Sequence, residues 1–450
     1  MSITMKNRRS RLLSGSTAAA AGTALLLAGC SSSGSSDSAD AGADVDSTEP
    51  VTVTVMYKSS EFTEDHIAAI EDEYPHITIE FIEYDETRLN AMMTAGDPPD
   101  IVRSGPNSNL FAKGLATNLD DFIANSEILT EDDLLPANDA WRYDGTTRGQ
   151  GNYYGIIKDW SPDATIWQNE ALFDAAGIEP LDTTEPTSWD DLLDKAIELK
   201  DAGVEYPLGL EWGWGITNLL QTMIVQQGGE VYNDDLTEVT FDTPEAERAI
   251  QWLIDYGTSG VGVTSLNPLP DGQDAPTFIA GNMAMTMDGY WFGGNLQADE
   301  AATVAETTTM APAPTFGDRV SPIFGGVGAY IPSGSDAPGA AWLVLEYFMG
   351  QEPAAERAQT GWGLPILESL WEELPSEQPY QVQAKDAALI EAEYVQPLPD
   401  SPYVQLSQWD QIVDAEVTAG IQGNKDAAGV AAAIQEQMNT LLAQGKDQLG

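Results

Sequence analysis

An α/β fold in two globular halves is what the sequence predicts, on three observations. The first is a βαβ opening: VTVTVMY at residues 51–57 alternates, residues 61–74 carry Phe62, Ile67, Ile70 and Tyr74 on one helical stripe, and ITIEFIEY at 77–84 is strand-like again. The second is size, since 450 residues with 42% hydrophobic content can bury a large core or two. The third is the stretch 152–180, NYYGIIKDWSPDATIWQNEALFDAAGIEP, which reads as a passage from one half into the other. Its apolar run 153–157 suits a strand and stops abruptly at Lys158, Asp159, Trp160 and Ser161. A second β-like piece follows at 165–168, then a helix at 170–176 that Gly177 ends. A connector that opens onto polar and aromatic groups is a place where a ligand can be held.

Ahead of this body, Lys6, Arg8, Arg9 and Arg11 precede a small and apolar stretch at 12–28, the physical parts of an export signal. Leu27-Ala28-Gly29-Cys30 looks like a bacterial lipoprotein box, which makes 1–29 the leader, Cys30 the lipid-bearing residue and 30–50, rich in Ser, Gly, Ala and Asp, a flexible tether. The expected location is the outer face of the cell membrane, with Sec and twin-arginine export both open. Cys30 is the single cysteine, so no internal disulfide can form. With 19 basic and 72 acidic side chains the net charge is −53, and removing 1–29 takes away four basic groups and no acidic one, giving 15 − 72 = −57. Such a charge excludes nucleic acid and anionic lipid surfaces as partners, because both repel it.

Along the body, a short helix at 89–95 is broken by Gly96-Asp97-Pro98-Pro99 before a third strand starts at 100–102. Ligands of open α/β sheets gather at the carboxyl ends of strands, which selects Tyr57, Lys58 and Ser59, then Arg103, Ser104 and Asn107. Ser188 caps a helix whose Trp189, Leu192, Leu193, Ala196 and Leu199 form an inward stripe, ended by Gly203. A strand at 206–210 leads to Glu211-Trp212-Gly213-Trp214-Gly215, where indoles alternate with glycines and are open to something flat. Thr243-Pro244 begins another helix, 257–276 reads as loop, and 277–280 as a short helix. Met283, Met285 and Met287 read as core filling in a buried strand, not as a copper site, and that strand delivers Asp288, Gly289, Tyr290 and Trp291 to its end.

GDPPDIV at 96–102, YYGIIKDW at 153–160, IWQNEALFDAAGIEP at 166–180, FIAGNMAMTMDGYW at 278–291, FGGVGAYIPSGS at 324–335 and GWGLPI at 361–366 together resemble, in order, the extracellular solute-binding proteins that deliver sugars to ABC importers, the maltodextrin-binding group among them. The resemblance implies a two-lobe periplasmic-binding-protein-like fold (type II), each lobe a central β-sheet flanked by helices and joined to the other by hinge strands. It implies lobe 1 from 51–157 with 317–350 and lobe 2 from 158–316 with 351–450, the part from 352 being helical. Hinge closure on a ligand is the motion such proteins use, periplasmic binding proteins being a standard instance. It further implies a monomer without cofactor or catalysis, a carbohydrate ligand and permease subunits as partners; the five candidate Trp plates named below point to an oligosaccharide. It puts Trp291 on the sugar and Trp362 on a turn near the cleft. Where relatives have an aromatic residue after GDPPDIV, this chain has Ser104-Gly105-Pro106, a departure that counts against maltodextrin.

A sugar has a rim of hydroxyls and faces of C–H, and calls for aromatic plates together with side chains that match several hydroxyls. Trp160, Trp212, Trp214, Trp291 and Trp362 are the candidate plates, Asp159, Glu211, Lys58 and Asn107 the candidate hydrogen bonders, and Gly326 supplies backbone room. The rival readings are a glycoside hydrolase with paired carboxylates such as Asp159 and Glu211, and a surface adhesin with no small ligand. His66 and His76 belong to no catalytic or metal motif, and FGGVGAY lacks the third glycine of a dinucleotide fingerprint.

Overall fold

The computed structural model describes residues 45–269 and 273–449, so the leader, Cys30 and the tether up to residue 44 lie outside the described residues. The βαβ opening forms as its pattern predicts. Val51–Tyr57 runs parallel to Ile77–Glu83, with Val51 opposite Ile77 and Tyr57 opposite Glu83, and the helix Glu64–Glu73 connects them. Ile101–Ser104 adds in parallel on the other side of Val51–Tyr57, and Gly328–Tyr330 and Ile156–Ile157 complete a five-stranded sheet by antiparallel pairing. A second sheet has the order Thr308–Ala311, Ile166–Asn169, Met283–Met287, Tyr206–Gly209. The chain therefore passes between the sheets at least twice, from 157 to 166 and back from 311 to 328.

Apolar packing fixes each sheet. Val53, Val55 and Tyr57 are fully buried, and Tyr57 meets the Phe348 ring of helix Pro338–Gly350 edge-on at 5.4 Å. In the second half the Asp191 N–H donates to Ser188 Oγ at 3.0 Å, capping the helix Trp189–Asp201, and its five stripe residues are all buried as the spacing predicts. Trp189 meets Trp252 of helix Pro244–Ser259 edge-on at 5.0 Å. The second sheet is covered on both faces: Trp167 and Met310 join one apolar cluster, Ile166 and Ala311 the other. Every residue of Met283–Met287 is buried, consistent with methionine as filling. The helices Leu406–Ile421 and Ala427–Leu449 pack on the second half.

Local patterns misplace three elements. The 153–157 run is split into Asn152–Tyr153 and Ile156–Ile157, because Gly155 passes so near Trp141 that a Cβ would lie 2.2 Å from the ring. The open Trp/Gly stretch is instead the first turn of the helix Trp212–Gln226. Within the part expected to be helical, Val395–Pro397 is a strand beside Ser321–Ile323; Pro397 and Pro399 exclude a helix there, and the returning chain supplies the partner.

Candidate functional site

Strand ends from both sheets open on one cavity of about 860 Å³. Ser60 and Glu61 come from just beyond Val51–Tyr57, Arg103 from Ile101–Ser104, and Lys158 to Ser161 from beyond Ile156–Ile157. Gly325 to Val327 enter ahead of Gly328–Tyr330, Trp291 from beyond Met283–Met287, and Arg357, Trp362 and Gly363 from in and after the helix Glu352–Thr360. Carboxyl ends of strands are where an open α/β sheet has unpaired backbone and room for loops.

One wall is an ion network. Arg103 holds Glu61 with two bonds, Nε to Oε2 at 2.9 Å and Nη2 to Oε1 at 2.8 Å. Lys158 Nζ lies 3.2 Å from Glu61 Oε2 and 2.9 Å from Asp159 Oδ2. Burial works against the Glu61 charge, but the Arg103 bond and the Lys158 charge outweigh it and hold the carboxyl below its usual range. Burial likewise opposes the Arg103 charge, and Glu61 more than restores it. Arg357 lies over the Phe348 ring at 4.5 Å and donates to the Phe348 carbonyl at 2.9 Å. Burial depresses it, with Asp159 acting the other way. Asp159 meets the backbone closely because residue 363 is glycine at φ +140°, where a Cβ would stand 2.9 Å from that of Asp159.

Indoles line the cavity as well. Trp362 is 49% exposed, and its ring rests on Gly294 closely enough that a Cβ there would be 2.8 Å away. Trp291 is half-buried, and its ring meets that of Phe292 edge-on at 6.2 Å. Trp160 is buried deeper; its Nε1 donates to the Pro365 carbonyl at 3.2 Å and its backbone pairs both ways with Leu364, so it is a fixed wall. Fixed charged groups and indole faces in one cavity suit a ligand that is both polar and flat-faced.

A family model described as bacterial extracellular solute-binding protein matches residues 58–355, more than half of the chain. The chain belongs to the bacterial extracellular solute-binding protein family. This solute-binding protein also has the fold of solved ones. It matches an ABC substrate-binding protein of Listeria monocytogenes in complex with cycloalternan (TM-score 0.73, 21% identity, 88% of this chain and 100% of that one). It matches the sugar-binding protein MalE of Xanthomonas citri (TM-score 0.71, 16% identity, 88% and 99%). A third match is the cyclic alpha-maltosyl-1,6-maltose binding protein of Arthrobacter globiformis (TM-score 0.64, 22% identity, 88% and 100%). No protein of curated function matches it in sequence. The expected two-lobe α/β architecture is therefore what the chain has. No helix among the described residues is long and apolar enough to cross a membrane. No group of three or more His, Cys, Asp and Glu among them is placed to hold a metal.

Within this solute-binding protein the cavity brings together Trp291, Asp159, Trp160, Trp362, Arg103 and Gly326 of the residues that the sequence singles out, with Gly326 in the left-handed region at φ +53°. The remaining candidates stand elsewhere, each for a physical reason. Trp212 is 4% exposed, stacked on Tyr256 at 5.8 Å, with its Nε1 donating to Asp414 at 2.7 Å: a core indole, not a plate of this cavity. Glu211 takes left-handed backbone at φ +45° to turn strand into helix, and exchanges bonds with Asp274, its N–H to Oδ2 at 3.2 Å and the Asp274 N–H to its Oε1 at 3.1 Å. Glu211 is not among the cavity's lining residues, so the carboxylate pair it was to form with Asp159 is not assembled there. Tyr57 points wholly into the core, Lys58 is exposed to solvent, and Ser104 Oγ turns back to the Gly105 carbonyl at 2.8 Å. Asn107 caps the helix Ser108–Ala112, accepting from Asn109 and Leu110, and lines a second cavity of about 240 Å³. That cavity shares Gly325 and Val327 with the first. The Trp214 side chain lies outside the described residues. Sequence reasoning missed Glu61, Arg357 and Asp163. Glu61 and Asp163 stand a few residues from groups it did select, so scanning charges near strand ends would have found them; nothing local marks Arg357.

Proposed function

We propose that this protein is the substrate-binding lipoprotein of an ABC importer, anchored through Cys30, that captures a carbohydrate between its lobes and hands it to the permease. In this reading lobe 1 comprises 51–157 with 317–350 and lobe 2 comprises 158–316 with 351–450. Oligosaccharide, not a single sugar, suits a cavity of about 860 Å³. The observation that carries the reading is the pairing of two accessible indoles, Trp291 and Trp362, with a network of charged side chains in one cavity at the strand ends of both sheets. Sugar C–H faces lie on the indoles; Asp159 and Glu61, tied to cations on one side, accept hydroxyls on the other, each such charged bond being worth about 1.5–3 kcal/mol. Such a site closes by lobe rotation and performs no chemistry. The test is a thermal-shift panel of neutral oligosaccharides: a ligand at one hundred times its dissociation constant adds about 2.7 kcal/mol of stability. A panel without a single shift favours an adhesin, and released reducing ends favour a hydrolase.

A further inference from the structure

Of the arginine and lysine side chains that border the large cavity, two are spent on carboxylates and one is not. Arg103 gives two bonds to Glu61, and Lys158 is shared between Glu61 and Asp159. Arg357, from the helix Glu352–Thr360, lines the same cavity. Its Nη2 donates to the Phe348 carbonyl at 2.9 Å, and its guanidinium lies over the Phe348 ring at 4.5 Å. Its Nε and Nη1 are shielded from solvent and have no hydrogen-bond partner. Four carboxylates line the cavity, and among the described residues none forms an ion pair with Arg357. Glu61 and Asp159 are held by Arg103 and Lys158, Asp163 accepts the Phe324 N–H at 2.7 Å, and Glu356 is 60% exposed and lies 3.8 Å from His66 Nε2.

A guanidinium withdrawn from water with two idle N–H groups is costly until an acceptor reaches it. A hydroxyl of a ligand satisfies an N–H but leaves the charge unmatched. A carboxylate brings two acceptor oxygens and a full negative charge, and hydrogen bonds between charged groups are about twice as strong as neutral ones. Glu61 and Asp159 stand at the same cavity, so a singly charged group is favoured over a doubly charged phosphate. The net charge of −53 does not reverse this, because salt screens exposed charges beyond about 8 Å.

We propose that Arg357 is a specificity-determining residue that receives a singly charged anionic group of the ligand, a carboxylate or a sulfate ester, so that acidic saccharides are preferred over neutral ones of the same skeleton. The word saccharide rests on the carbohydrate reading; the idle guanidinium does not.

The experiment is calorimetry of the intact protein against short oligosaccharides of galacturonate, glucuronate and mannuronate, each paired with its neutral methyl ester, and against a galactose oligosaccharide with and without a sulfate ester. In at least one pair the acid is expected to bind about tenfold tighter than its neutral partner, and the pair that shows it tells carboxylate from sulfate. In Arg357→Gln the ratio of the two affinities is expected to fall to about one. Arg357→Lys keeps the charge without the planar fork and is expected to give an intermediate ratio, which serves as the readout should Arg357→Gln not fold. Acids that bind no tighter than their neutral partners, or a preference that either variant leaves intact, overturn the proposal. Neutral members that bind without any preference for the acid overturn it alone and leave the carbohydrate reading standing; a panel in which no member binds overturns both.

Discussion

At the cavity, Glu61 and Asp159 face Arg103 and Lys158; in the core beside the second sheet, Asp274 and Asp288 face other carboxylates, Glu211 among them. Glu61 is partly and the core pair almost wholly buried, yet their charges end in opposite states. Cations keep Glu61 ionised against its burial, whereas burial first, and Glu211 next, push Asp274 up to about 7 and Asp288 well above its ordinary value. Thr286 Oγ1 bonds Asp288 Oδ2 at 2.8 Å, which a neutral carboxyl accepts as readily. The indoles divide the same way: Trp362 stands in solvent at the cavity, Trp212 is stacked in the core. Residue type does not separate binding groups from fold groups here. Partner and exposure do.

The contrast breaks first at the two tryptophans. Trp212→Ala is expected to cost about 3–5 kcal/mol of stability in denaturant titration, with ligand affinity unchanged in the molecules that remain folded. Trp291→Ala is expected to do the reverse, lowering affinity about a hundredfold, or about 2.7 kcal/mol, at nearly constant melting temperature. If Trp212→Ala alone abolishes binding, the division between plate and core is wrong. A smaller effect follows from Glu61→Gln, which frees Arg103 and Lys158 from one carboxylate. Calorimetry should show about a tenfold weaker complex, worth about 1.4 kcal/mol, and an unchanged constant would take the network out of the site.

The pH response sharpens the comparison with the smallest effect. Asp163 and Asp274 have folded values near 7, above their ordinary value of 3.8, so the fold binds their protons more tightly than the unfolded chain does. Their contribution to stability is complete below the ordinary carboxylate range and is lost as pH rises through about 7. The melting temperature is thus expected to rise as pH is lowered from about 8 to about 5.5, and Asp274→Asn to flatten that slope, both read by calorimetric scans. The lowered Glu61 acts only in more acid solution, where its charge and its two cation contacts are lost.

Much of the fold was legible because it is written in local periodicity: the alternation of Val51–Tyr57, the stripe of Trp189–Asp201 and its Ser188 cap were all readable by eye. The cavity was legible where a residue stood at a strand end within a matched motif, as with Asp159 and Trp291. It was illegible where burial decides. Trp212 and Trp362 both sit beside glycines in the sequence, and only packing against Tyr256 tells one from the other. Arg357 and Arg103 line the same cavity from segments more than 250 residues apart, a meeting that no local spacing encodes. Asn107 shows the converse error, since a polar residue just after a strand is as good a helix cap as a ligand group.

The most direct test of the account is isothermal calorimetry of the natural protein and Trp291→Ala against the oligosaccharide that gives the largest thermal shift. Saturable heat of binding in the natural protein, weakened about a hundredfold in the variant, is the expected result. Equal affinity of the two, or no heat from any neutral saccharide, would contradict it.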